Sequence, residues 1–196
     1  MPAKAKLPRR QPEAAAALPA TASRHALLEG GSDDRFRQLV YDLLTISVRM
    51  ETAREHLARR LGVSGPQYSI LMAIARLQDR HGVRVGSIAK ALHVTSAFIA
   101  TETGRLARLG LLSKSPNPKD RRGILLALTS KGQAALVTLG PEIRAVNDDF
   151  FKPLDRPAFQ ALASAAAALV ESSSRVERRL RVMDDNEWLA LRSAAE

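Results

Sequence analysis

The densest cluster of chemically capable side chains in the sequence is Asn117-Pro118-Lys119-Asp120-Arg121-Arg122-Gly123, in which Lys119, Arg121 and Arg122 surround the carboxylate of Asp120. Guanidinium groups present a fork of donors that fits phosphate oxygens, and a carboxylate among them orients an arginine through a charge-assisted pair. Asp120 itself would be repelled by phosphate. A second group, Thr95, Ser96, Ala97, Ala100, Thr101 and Arg105, recurs on a helical spacing away from the apolar face of Ile99, Thr103 and Leu106. Short side chains of this kind reach base edges without filling the major groove. A third set, Thr45, Arg49, Thr52 and His56, forms a polar stripe three and four residues apart. There Arg49 suits a carboxylate, and His56 or the later Tyr68 suits a hydroxyl; the plain alternative is an exposed helix face.

Nothing comparable supports catalysis or a resident cofactor. His25, His56, His81 and His93 have no H-x-x-x-H or H-E-x-x-H spacing for zinc. There is no Gly-x-Ser-x-Gly elbow and no phosphate-cradling glycine loop. The absence of cysteine excludes disulfides, thiolate metal sites and cysteine nucleophiles. The 30 Lys and Arg outnumber the 20 Asp and Glu, giving a net charge of +10 over 196 residues. That excess points to a polyanion, either nucleic acid or an anionic membrane. The longest uncharged stretch, Pro157 to Val170, is too short to span a bilayer, which needs roughly 20 apolar residues. The alanine run after Arg9-Arg10 is likewise too short for a signal peptide. A cytoplasmic protein is expected, and no strong basic amphipathic helix favours a membrane surface.

The elements that must position these residues follow from periodicity and punctuation. Residues 1–32 are rich in Ala, Pro, Lys and Arg and read as a disordered basic arm. A long helix then starts at a Ser32 or Asp33 cap, with Phe36, Leu43, Met50 and Leu57 recurring every seven residues until Gly62. Ser64 caps a second helix with Pro66 in its first turn and Ile70, Leu71, Ile74 and Leu77 on its buried face. Val83 to Val85 is extended and Ser87 to Leu92 helical. Thr95 or Ser96 caps the next helix, which Gly110 ends. Strands over Leu111–Ser115 and Ile124–Thr129 flank a loop over Pro116–Gly123. Helices over Ser130–Phe150 and Arg156–Val182 follow, the latter with Phe159, Leu162, Ala166, Leu169, Ser173, Val176 and Leu180 at spacings of three and four. The expected fold is mainly α with a small β-wing: a winged helix-turn-helix flanked by long helices whose surplus apolar stripes predict a homodimer.

Several stretches resemble the MarR family of regulators. They are Leu61-Gly62-Val63-Ser64-Gly65-Pro66-Gln67-Tyr68-Ser69-Ile70-Leu71, Ile88-Ala89-Lys90-Ala91-Leu92, and Arg105-Leu106-Ala107-Arg108-Leu109-Gly110-Leu111-Leu112. The most specific is Asn117-Pro118-Lys119-Asp120-Arg121-Arg122 followed by Leu128-Thr129 and Gly132, which is similar to the family's wing signature. The resemblance covers roughly residues 33–182. It implies a dimeric DNA-binding transcription regulator rather than an enzyme, on a pseudo-palindromic operator in double-stranded DNA. It also implies that Arg121 and Arg122 contact the minor groove and phosphate, and that a small aromatic or carboxylate ligand releases a repressor. A winged-helix DNA-binding protein without an effector is the alternative. Thr95 or Ser96 would offer phosphate a hydroxyl at the helix N-terminus. Arg105 would hold phosphate in preference to guanine, and Phe98 would either touch a thymine methyl or pack. Two positions depart from the family pattern: Glu102, where an apolar residue is usual, and Gly104, which costs its helix about 1 kcal/mol relative to Ala. The expected organisation is an arm over 1–32, a helical dimerisation region over 33–62 and 130–183, a winged helix-turn-helix over 63–129, and a tail over 184–196.

Overall fold

Helix ends carry the strongest local signals in this chain. The computed structural model describes residues 19–118 and 120–182, with the backbone alone at Arg121, Arg122 and Arg181. Helix α1 runs over Asp34–Arg60 and stops at Leu61, with Gly62 behind it at a φ of 68° that favours glycine. Helix α2, Gly65–Leu77, begins in a full capping box: Ser64 Oγ accepts from Gln67 N–H at 3.4 Å, and Gln67 Oε1 accepts from Ser64 N–H at 3.1 Å. Strand β1 (Val83–Arg84), α3 (Val85–Leu92), α4 (Ser96–Arg108), β2 (Leu112–Asn117), β3 (Asp120–Leu128), α5 (Ser130–Phe151) and α6 (Arg156–Val182) follow. Lys119, the first eighteen residues of the expected arm and the expected tail over 184–196 lie outside the described residues.

The strands form one antiparallel sheet in the order β1-β3-β2, with Val83 opposite Leu126 and Leu112 opposite Leu128. Ile70, Leu71 and Ile74 from α2, Ile88 from α3, Ile99 and Leu106 from α4, and Leu126 from β3 are all fully buried. Three helices and the central strand thus share one core. Leu77, expected on the same face, is 37% exposed because it sits at the last turn of α2. Gln78, just beyond, instead uses its side chain, Oε1 accepting from Leu128 N–H at 2.9 Å.

The start of α5 explains a glycine that sequence pattern leaves unaccounted for. Thr129 Oγ donates to Gly110 O at 2.6 Å and accepts from Gly132 N–H at 3.0 Å. This draws the first turn of α5 so close to Leu111 that a Cβ on Gly132 would lie 2.0 Å from the Leu111 carbonyl oxygen. Only glycine fits there without moving backbone.

The chain divides into two units that meet between Ala135 and Leu136. Helix α1 falls in the first unit, where it packs on α2 and buries Leu57 and Ala58. In the second unit, Asp155 caps α6 by accepting from Ala158 N–H at 2.9 Å, and no residue of α6 with a described side chain is buried.

Residues 19–32, assigned from composition to a disordered arm, have a defined course. His25–Leu27 forms a 3₁₀ turn, and Glu29 bridges Ser32. The cause is polar. Asp33 stands at the N-cap position of α1 but makes no capping bond. Its carboxylate instead accepts from the backbone and hydroxyl of Thr21 and from Arg37, whose Nη2 also reaches Pro19 O at 3.0 Å. Arg37 first, and then Thr21, hold this carboxyl well below the usual carboxylate range. The clasp's contribution to stability is therefore full at neutral pH and is lost progressively as pH falls from the ordinary carboxylate range toward that depressed value.

Candidate nucleic-acid interface

Helix α3 ends at His93, which adopts the left-handed region at φ 54°, where histidine is several-fold enriched among non-glycine residues. Val94 N–H returns to Ala89 O at 3.0 Å, closing the turn and aiming the chain into α4. Of the two candidate caps, the structure uses Thr95: its Oγ accepts from Phe98 N–H at 3.2 Å. A hydroxyl that accepts in this way can still donate its own proton.

The inward face of α4 is Ile99, Thr103 and Leu106, each 0% exposed. Thr103 satisfies its hydroxyl within the helix, donating to Ile99 O at 2.8 Å. Thr95, Ser96, Ala97, Ala100, Thr101 and Arg105 are all exposed, so the expected reading residues lie on the surface away from that inward face. Thr101 Oγ donates to Ala97 O at 3.1 Å, which leaves its lone pairs and methyl group outward. Arg105 is also exposed and lies nine residues beyond Ser96, about 13.5 Å along the axis and half a turn around it. Phe98 is 37% exposed.

The wing is longer and tighter than a loop over Pro116–Gly123 would be. Pairing continues through Pro116 opposite Ile124 and, after a bulge, through Asn117 opposite Asp120. Proline is tolerated because β2 is an edge strand and the irregularity falls just after it. Asn117 is buried at 5% exposure, and a Cβ on Gly123 would come within 3.3 Å of its Cβ and Nδ2. Sequence reading overlooked this buried amide, whose signal was an Asn-Pro step facing a glycine. Asp120 is exposed at the first position of β3, and Arg121 and Arg122 follow it in the strand beside the tip. Strand, wing tip and α4 belong to the same unit.

The polar set on α1 is less compact. Thr45, Arg49 and His56 are exposed, but Thr45 and His56 are eleven residues apart, about 16 Å along the helix. Thr52 has its hydroxyl committed to Val48 O at 3.1 Å. Tyr68 is 8% exposed on α2, and burial pushes its phenol upward, so it stays protonated and can donate.

The family model described as MarR family matches residues 61–123, which hold α2, α3, α4 and the wing tip. The HTH-type transcriptional repressor YetL of Bacillus subtilis is 31% identical over 132 residues, covering 65% of this chain and 78% of that protein. Sco3205, a MarR family transcriptional regulator from Streptomyces coelicolor solved in complex with DNA, is 23% identical with a TM-score of 0.62, over 69% of this chain and 89% of its own. PcaV, a transcriptional regulator of the same organism solved with its natural ligand, is 25% identical with a TM-score of 0.53, over 65% of this chain and 90% of its own.

Proposed function

The chain belongs to the MarR family of transcription regulators, and from that premise we propose that it is a homodimeric repressor that reads a pseudo-palindromic operator and is released by a small aromatic or carboxylate ligand. The observation that carries the DNA reading is the exposed surface of α4 away from Ile99, Thr103 and Leu106, with short side chains over its first two turns and Arg105 further along, in one unit with the wing. In this reading Ser96, Ala97, Ala100 and Thr101 meet base edges, Thr95 and Arg105 hold phosphate, and Lys119, Arg121 and Arg122 hold the neighbouring minor groove and backbone. Asp120 orients an arginine of the wing. Ser96→Ala or Thr101→Ala should lower discrimination between the preferred duplex and one altered at the contacted base pair by about 1–3 kcal/mol, with little change in salt dependence. Competition binding on the two duplexes measures this, and an unchanged ratio for both variants would remove α4 from sequence reading.

Two apolar faces support the dimer. On α1, Leu39, Leu43, Ile46 and Met50 are between 41% and 50% exposed, and on α6, Phe159, Leu162, Leu169, Val176 and Leu180 are between 44% and 57% exposed. A helix whose apolar stripe finds no cover in its own chain gains little from forming alone. A second copy supplies that cover. The region over 33–62 and 130–183 is therefore the proposed interface, and the protein is placed in the cytoplasm with its DNA. Among the described residues no helix is long and apolar enough to cross a membrane.

For the ligand, Arg49 is the proposed carboxylate partner, with Thr45 one turn away and Tyr68 or His56 as hydroxyl partners. The separation of about 16 Å between Thr45 and His56 means that one small molecule reaches only part of this set. YetL is named a repressor and PcaV was solved with its ligand, which supports a repressor of this kind. Arg49→Ala should weaken the response to aromatic carboxylates, read as a smaller rise in melting temperature, and leave DNA affinity nearly intact. Equal loss of both would make Arg49 structural. A wild-type melting point indifferent to the whole panel would favour a DNA-binding protein without an effector.

A further inference from the structure

Glu102 occupies a position on α4 that its neighbours reserve for the core. It lies three residues after Ile99 and four before Leu106, both fully buried, and is itself half-buried. Its Oε2 accepts a 2.8 Å hydrogen bond from Nε2 of Gln67. Gln67 is 2% exposed, and its other side-chain atom, Oε1, accepts from Ser64 N–H at the start of α2. One buried amide therefore closes the capping box of α2 and grips the recognition helix at the same time. The first turn of α2 is anchored in turn on α1: a Cβ on Gly65 would lie 3.3 Å from Arg54 Nε, and Arg54 Nη1 donates to Ser69 Oγ at 3.3 Å.

We infer that Glu102 is a positioning residue that sets the rotation of α4 about its own axis through Gln67, and so determines which side chains reach the bases. The inference rests on α4 being the DNA-reading helix. Contacts through Ile99 and Leu106 are non-directional and allow a helix to roll within its groove. A hydrogen bond between a fixed amide and a carboxylate is directional and does not. A roll of about 10° on a helix of roughly 5–6 Å radius moves its outer atoms by about 1 Å, more than a hydrogen bond to a base edge tolerates. Gly104, with nothing within 4 Å of a Cβ placed there, adds no packing that would resist such a roll. Glu102 does not touch DNA; it acts on Ser96 and Thr101 by fixing where they point.

The test uses the full chain and a duplex that the wild-type protein enriches from a randomised pool, compared with a scrambled duplex at fixed salt. Glu102→Gln and Glu102→Leu remove the same charge, but only the first keeps an oxygen that accepts from Gln67. Glu102→Gln should keep the affinity ratio within about twofold of wild type, and Glu102→Leu should lower it at least about tenfold, the equivalent of about 1.4 kcal/mol. Gln67→Glu retains an acceptor for Ser64 N–H but sets two carboxylates against each other, and should lower the ratio similarly. Adding Glu102→Gln to it should restore the ratio, since the new amide donates to the new carboxylate. A merely structural role would show as parallel loss of melting temperature and of scrambled-duplex affinity, without rescue by the exchange. Equal discrimination by Glu102→Gln and Glu102→Leu, or an exchange variant no better than Gln67→Glu, would overturn the inference. If Glu102→Leu fails to fold, the exchange pair decides. Failure of the wild-type protein to enrich any sequence would instead count against the DNA reading itself.

Discussion

Leu162→Glu combined with Leu169→Glu should convert the protein from a dimer into monomers or unfolded chains. The two positions are 44% and 56% exposed on α6, and in a two-fold interface each substitution is present twice. Burying a leucine fully is worth about 1.5–3 kcal/mol, and about half of each side chain is left for a partner to cover, so removing four costs the interface roughly 3–6 kcal/mol. The four carboxylates put in their place would also have to be desolvated or expelled. Together the lost apolar burial and the four carboxylates take up most or all of the about 8 kcal/mol that holds a dimer together at micromolar concentration. Sedimentation velocity reads the outcome directly. A variant that still sediments as a dimer would move the interface away from α6, and a wild-type protein that is monomeric at micromolar concentration would remove the dimer altogether.

Arg121→Ala combined with Arg122→Ala should weaken binding to preferred and scrambled duplexes alike. The wing meets phosphate and groove shape, which carry little base identity. Removing one cation from a phosphate flattens the slope of log K against log salt by about 0.9, and the double variant removes four cations from a dimer on two half-sites, so it should flatten the slope by about 3.6. At about 0.15 M salt each such cation is worth roughly fivefold in affinity on the same relation, and the four of a dimer together roughly 900-fold. The pattern is opposite to that expected for Ser96 and Thr101, which alter discrimination and leave the slope in place. A salt titration of both classes of variant on both duplexes separates holding from reading. Wing variants that bind like wild type at every salt concentration would end the assignment of Arg121 and Arg122.

Much of this architecture is written in local chemistry, and the exceptions share a cause. The α6 bounds Arg156–Val182 follow from apolar residues at spacings of three and four, a pattern that needs no knowledge of the rest of the fold. Ser64, Pro66 and Gln67 likewise announce a helix start by themselves. The exposed face of α4 was legible because Ile99, Thr103 and Leu106 mark the opposite side. What escaped sequence reading depends on partners distant in the chain. Asp33 orders residues 19–32 through Thr21 and Arg37, a polar clasp that counting apolar side chains cannot detect. The strands extend to Asn117 and Asp120 because a bulge lets Pro116 sit at a sheet edge, whereas Pro-Asn-Pro by itself reads as loop. Gly132 is required by the Leu111 carbonyl, which lies on another element. Glu102 departs from the family pattern, and its reason is Gln67, 35 residues earlier, which binds it.

The most direct test of the central claim, that a homodimer of this chain reads DNA through paired α4 helices, is enrichment of a fully randomised duplex pool by the wild-type protein, followed by sequencing. Two copies related by two-fold symmetry should select an inverted repeat whose half-site centres lie about 10–10.5 base pairs apart, one turn of the double helix. Enrichment should fall as salt rises, as binding to phosphate requires. A pool that remains random, or one that yields a single half-site without its inverted copy, would contradict the claim.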